Sequence, residues 1–164
     1  MIYAVGYTKG GVGKSTIAVH LAAYLARSGS ALLIDGDPQR TAVDWAGWRA
    51  EANIEPSPVT ISLLGKAIHD QGEQVQKNYD NTVIDVGGKD GPGVRNALLL
   101  ADRLLLPINA TGFDAAMLRE FLDVIEEAQA FNSKLEVRAI VNKLHPGRKD
   151  TMIRDFLTLS LIHI

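Results

Sequence analysis

Lys9-Gly10-Gly11-Val12-Gly13-Lys14-Ser15-Thr16 follows an apolar run at residues 2–7 and opens a segment of helical period at residues 15–28. A glycine-rich turn between a strand and a helix is the setting a phosphate-binding loop needs. Gly10, Gly11 and Gly13 let backbone N–H groups turn inward, and the helix N-terminus adds positive potential where an anion would sit. Lys14 then reaches the terminal phosphates of a nucleotide, and the Ser15 hydroxyl ligates Mg²⁺ beside phosphate oxygens and water; Val12 and Thr16 belong to the same binding segment. The stretch departs from the general phosphate-loop pattern at one point: Thr8 stands where the first glycine is expected, and a second lysine, Lys9, follows it. A turn that binds nothing is the alternative, and the coincidence of lysine, hydroxyl and flanking elements argues against it.

Outward from the loop, short runs rich in Val, Ile and Leu alternate with segments of helical period, the pattern of βαβ units around a parallel sheet. Strands are predicted at residues 2–7, 31–34, 59–61, 82–86, 104–108 and 135–141, and helices at 15–28, 41–51, 64–77, 93–100 and 113–131. The fold class is therefore α/β. In the first helix Ile17, Leu21, Tyr24 and Leu25 fall on one face, and Gly29 is placed as a C-terminal cap. In the last, Met117, Phe121, Leu122 and Ile125 form an apolar stripe that reads as packing.

Acids gather where such sheets collect ligands, at the carboxyl ends of the strands. Asp35 and Asp37, in Leu32-Leu33-Ile34-Asp35-Gly36-Asp37-Pro38-Gln39, are suited to orient the waters of Mg²⁺ or to polarise an attacking water, although an Asp-rich turn also caps helices. Asp85 closes the apolar strand Thr82-Val83-Ile84-Asp85, as a Walker B aspartate does when it holds Mg²⁺ through water. Gly87, Gly88, Gly91 and Gly93 then give the following loop freedom to change shape when a γ-phosphate leaves.

Composition narrows the chemistry. The 164 residues are 46% hydrophobic and 22% charged, which excludes intrinsic disorder. A net charge of −2 excludes a polycation, so any DNA contact has to come from a local patch, and the lack of cysteine removes thiolate metal sites, cysteine-held clusters and a Cys nucleophile. No secretory pattern opens the chain, and the apolar stretch at residues 97–106 is broken by Asp102 and Arg103, so a soluble cytoplasmic protein is expected. The run at residues 157–164 stops without a cap or polar tail, which points to one domain over residues 1–164 with a truncated or altered C-terminus.

Together, KGGVGKST, DGDPQ and the VID strand end resemble the deviant-Walker-A ATPases of the ParA/MinD group, most of all the small ParA-type partition ATPases, over residues 1 to about 145. The resemblance implies a three-layer P-loop NTPase fold, with a mostly parallel central sheet flanked by helices, and ATP and Mg²⁺ as cofactors. It further implies that Lys9 crosses to the nucleotide of a second subunit in an ATP-dependent homodimer and that Asp37 positions the attacking water. Asp35 supports the metal shell, Asp85 is the Walker B acid, and Asn142 matches an adenine-contacting position, although Asn at a strand end is equally often a turn residue. Relatives often carry prolines after the Walker B acid, where this chain has Val86-Gly87-Gly88-Lys89-Asp90.

The family further implies nonspecific DNA as a partner of the ATP dimer, a ParB-like centromere-bound protein that discharges it, slow ATP hydrolysis and a nucleoid-associated location. Lys134, Arg138, Lys143, Arg148, Lys149 and Arg154 against Glu136 and Asp150 form a basic stretch suited to phosphates, or simply a solvated face. A MinD-like membrane-cycling role needs a basic amphipathic C-terminal helix, which residues 151–164 do not supply, so no stable membrane association is expected. An amidating or carboxylating ligase on the same scaffold, and an inactive fragment, complete the alternatives.

Overall fold

The computed structural model describes residues 1–88, 91–109 and 115–143. In chain order the elements are β1 (Ile2–Val5), α1 (Lys14–Leu25), β2 (Ala31–Gly36), α2 (Thr41–Glu51), β3 (Val59–Ser62), α3 (Ala67–Asp70), α4 (Gly72–Val75) and a 3-10 turn (Gln76–Asn78). Then follow β4 (Asn81–Val86), α5 (Pro92–Leu100), β5 (Arg103–Asn109), α6 (Ala115–Phe131) and β6 (Glu136–Asn142). The six strands form one sheet in the order β3-β2-β4-β1-β5-β6, and every pairing is parallel. Central strands buried on both faces are apolar almost throughout, as in Leu32-Leu33-Ile34, whereas the edge strands β3 and β6 carry exposed positions.

Two cores cover the two faces. Strand alternation sends Val5, Leu33 and Val83 toward α1 and α2, and Ala4, Leu32, Ile34, Ile84, Leu104 and Leu106 toward α3 to α6. On the second face Phe121 is fully buried and meets Tyr7 edge-on, with ring centroids 5.4 Å apart.

Three expectations change. The face of α1 that enters the core is Ala18, Val19 and Ala22, while Tyr24 is 64% exposed and Ile17, Leu21 and Leu25 flank the contact. Small side chains let the helix lie close on the sheet, and the large ones seal its rim. Gly29 is not a left-handed cap: the helix ends at Leu25, and a Cβ at Gly29 would lie 2.7 Å from the Asp80 carboxylate. The helix predicted over 64–77 is divided into α3, α4 and the 3-10 turn; Gln71 between the first two keeps helical backbone angles, and Gly72 is buried, where a Cβ would lie 3.1 Å from Leu100 and 3.4 Å from Ile34. Of the helix expected over 113–131, residues 113–114 lie outside the described residues, as does the C-terminal segment 151–164.

Phe121→Ala removes the largest fully buried side chain and its contact with Tyr7. It should cost about 3–5 kcal/mol, read as a lowered urea midpoint at unchanged slope; a loss below about 1 kcal/mol would contradict this packing.

Candidate functional site

The carboxyl ends of β1, β2 and β4 meet the head of α1. Gly13 precedes the helix in a left-handed conformation (φ 97°), no side chain caps the helix, and no acid occupies its first turn. The first N–H groups of α1 are thus left for an anion. Lys14 is almost wholly buried and its Nζ donates to the Lys9 carbonyl at 3.0 Å, so the ammonium is parked on its own loop. Burial lowers its pKa, and the charges of Asp85 and then Asp37 offset that in part.

Asp35 and Asp85 are register partners on adjacent strands, and both are fully buried. Their surroundings differ. Asp35 is saturated by the backbone: Oδ1 accepts the N–H of Asp37 at 3.1 Å and Oδ2 that of Val43 at 2.9 Å, which ties the Asp37 turn to the first turn of α2. Neither oxygen of Asp85 is paired with a well-aligned donor among the described residues, although the Ser15 hydroxyl is near enough to favour its charged form. Burial pushes the Asp85 carboxyl up to about 7; Asp35 and Asp37 add to this, and Ser15 and Lys14 pull it back. A buried carboxylate with open lone pairs, beside a hydroxyl and a helix head, is a hard-oxygen donor set that fits Mg²⁺. Among the described residues no group of three or more His, Asp or Glu could hold a metal alone, so phosphate and water oxygens would have to complete the shell.

Asp37 is half-buried and its Oδ1 accepts the Gln39 N–H at 2.9 Å. It lines a cavity of about 510 Å³ with Gly36, Pro38, Leu64, Gly87 and Pro92 among its other walls. Gly87 passes alongside Asp37, and Gly88 lies over the loop, where a Cβ would come within 3.2 Å of Lys14 Nζ.

The family described as the CobQ/CobB/MinD/ParA nucleotide binding domain matches residues 3–161. The chain belongs to this family. The match extends past the limit near residue 145 expected from the motifs. The chromosome-partitioning ATPase Soj of Thermus thermophilus is 31% identical over 173 aligned residues, covering 88% of this chain and 70% of its own. Maintenance of carboxysome distribution protein A of Halothiobacillus neapolitanus is 28% identical over 144 residues, 87% of this chain and 66% of its own. In fold, cobyrinic acid a,c-diamide synthase of Mycobacterium smegmatis, crystallised with ADP and magnesium, superposes with a TM-score of 0.81 at 18% identity, over 98% of this chain and 81% of that one.

This ParA/MinD-family domain brings Gly10 to Ser15, Asp35, Asp37 and Asp85 to one sheet edge. Thr16 is exposed, and its carbonyl contacts His20 Nδ1 at 2.8 Å. Asn142 is turned onto the phosphate loop, where its amide donates to the Val12 carbonyl at 2.9 Å. The basic stretch does not form one patch among the described residues. Lys134 and Lys143 flank opposite ends of the seven-residue β6, roughly 23 Å of strand, and Arg138 pairs with Glu136 at 3.3 Å. Arg148, Lys149 and Arg154 lie outside the described residues, as do Lys89 and Asp90. Lys143, read from sequence only as part of the basic stretch, donates its Nζ to the Gly11 carbonyl, and Asn109, register partner of Asn142 with a buried Oδ1 that has no hydrogen-bond partner, escaped the sequence reading.

The Asp85 carboxyl titrates near 7 folded and in the ordinary carboxylate range, about 4, unfolded. The folded protein therefore holds the extra proton in that window, and stability should fall as pH rises through it, by up to about 1.4 kcal/mol per pH unit. Urea unfolding in nucleotide- and magnesium-free buffer should show this slope for the wild type and a flatter one for Asp85→Asn; identical slopes would remove the assignment.

Proposed function

We propose that this chain is a ParA-like partition ATPase: Mg-ATP binding drives a sandwich dimer that binds DNA nonspecifically, and hydrolysis resets it during plasmid or chromosome segregation. The observation that carries the reading is the meeting of an uncapped helix head, a buried lysine and a buried carboxylate with open lone pairs beside the Ser15 hydroxyl at one point of the sheet edge. Kinship with a chromosome-partitioning ATPase supports the choice of biological role.

In this reading the loop amides and the first turn of α1 bind the phosphates, and Lys14 exchanges the Lys9 carbonyl for a phosphate oxygen. Ser15 and Asp85 would hold Mg²⁺, with Asp35 fixing the Asp37 turn behind them; bound there, the ion neutralises charge on the β- and γ-phosphates. Asp37, with one oxygen held by the Gln39 N–H, orients water at the γ-phosphate with its other oxygen. Lys9 reaches the nucleotide of the second subunit, so loss of the γ-phosphate loosens the dimer. A ParB-like partner discharges the DNA-bound dimer, which places the protein in the cytoplasm on the nucleoid.

A ligase reading gains one specific observation, the cavity beside Asp37. Its described walls offer a carboxylate and no basic side chain, a poor match for an acidic substrate. The partition reading therefore stands ahead of it.

Lys14→Ala should weaken MgATP binding on the order of 100-fold by calorimetry, the scale of a lost buried charge-assisted contact. Unchanged affinity would reject the site. Lys9→Ala should bind ATP yet remain monomeric in light scattering, whereas Asp37→Ala should form the ATP dimer and fail to release phosphate; an ATP dimer of the Lys9 variant, or normal turnover of the Asp37 variant, would count against these roles.

A further inference from the structure

The phosphate loop is held from outside by residues 130 positions away. Lys143 Nζ donates to the Gly11 carbonyl at 2.8 Å and Asn142 Nδ2 to the Val12 carbonyl at 2.9 Å. The backbone leaves β6 at Lys143 in a left-handed conformation (φ 55°), and its N–H donates to Asn142 Oδ1 at 2.9 Å. That bond occupies the amide oxygen while the amide nitrogen serves Val12, so the orientation of the side chain is set at both ends. The approach is close: a Cβ at position 13 would lie 2.3 Å from Asn142 Nδ2, so a side chain there would have to displace that amide as well as adopt a left-handed backbone (φ 97°).

We propose that Asn142 and Lys143 form a clasp that aims the amides of the phosphate loop, making them positioning residues for nucleotide binding. The argument is one of peptide geometry. In a trans peptide unit the C=O and the following N–H point in opposite directions. Holding the Gly11 carbonyl toward β6 therefore directs the Val12 N–H away from it, and holding the Val12 carbonyl does the same for the Gly13 N–H. An anion bound by those amides sits on the far side of the loop from the clasp, which need not touch it. The loop requires such a hold because Gly10 and Gly11 meet no neighbour within 4 Å of a Cβ position, so their peptide planes turn over at little steric cost. The clasp also gives Asn142 a use other than reading a base edge.

This inference rests on the nucleotide-binding reading for its functional consequence, and the test separates the two. The orientation of the backbone N–H bonds is followed by NMR residual dipolar couplings in the nucleotide-free protein for wild type, Lys143→Ala, Lys143→Arg and Asn142→Ala, alongside affinities for MgATP, MgADP and MgGTP. Changed couplings are expected at Val12 in Lys143→Ala and at Gly13 in Asn142→Ala. MgATP and MgADP affinity should fall about tenfold together in Lys143→Ala, with Lys143→Arg restoring most of it and the ATP-to-GTP ratio unchanged. Wild-type couplings and affinity in Lys143→Ala would overturn the clasp, as would an Asn142→Ala effect confined to the ATP-to-GTP ratio, which assigns that residue to the base. If the wild type binds no nucleotide, the partition reading falls and the couplings still decide the clasp.

Discussion

At the head of α1 an ammonium is taken almost out of water, and the partners that make this tolerable, Asp85, Asp37 and the Lys9 carbonyl, come from β4, the turn after β2 and its own loop. A buried charge persists only where opposite charge and hydrogen-bond acceptors surround it. Here alternation along β2 and β4 turns Asp35 and Asp85 to the same sheet face as α1, and the parallel register sets them side by side. One acid is held by backbone donors on both oxygens, while the other keeps open lone pairs. Two carboxylates of the same type in neighbouring positions are given different work by their surroundings alone.

Packing underwrites this arrangement from below. Tyr7 and Val12 bracket the start and middle of the loop, and both are sunk in the larger core that contains Phe121 and Leu118. On the opposite face, the alanines of α1 bring the helix close to Val5, Leu33 and Val83. Gly10 and Gly11 form the exposed rim of the loop, and the end of β6 reaches this rim through Lys143.

Much of this could be read from the chain. Apolar runs of strand length, each followed by helical period, marked all six strands to within a few residues, and the lysine-led glycine loop marked the site. Less legible were the features decided by three-dimensional proximity. Periodicity ranks large apolar residues as a helix face, so it missed that α1 lies on its alanines. The segment from Leu64 has helical period, but it is realised as two single turns of α-helix and a 3-10 turn, with Gly72 buried beside Leu100. Nothing in the local sequence around Asn142 says that its amide faces a glycine near the other end of the chain, and Lys143 read as one more surface cation.

The strand order carries a consequence for how the molecule comes into being. Protein synthesis delivers the glycine loop first and β6 last of the described elements, so a nascent chain displays the motif long before it possesses the hands that shape it. Loop closure over so long a separation is an entropic toll collected late in folding, once β5 has offered an edge for β6 to join. On the proposed clasp, the glycine loop then takes its final shape only when β6 docks, the last step in closing the sheet.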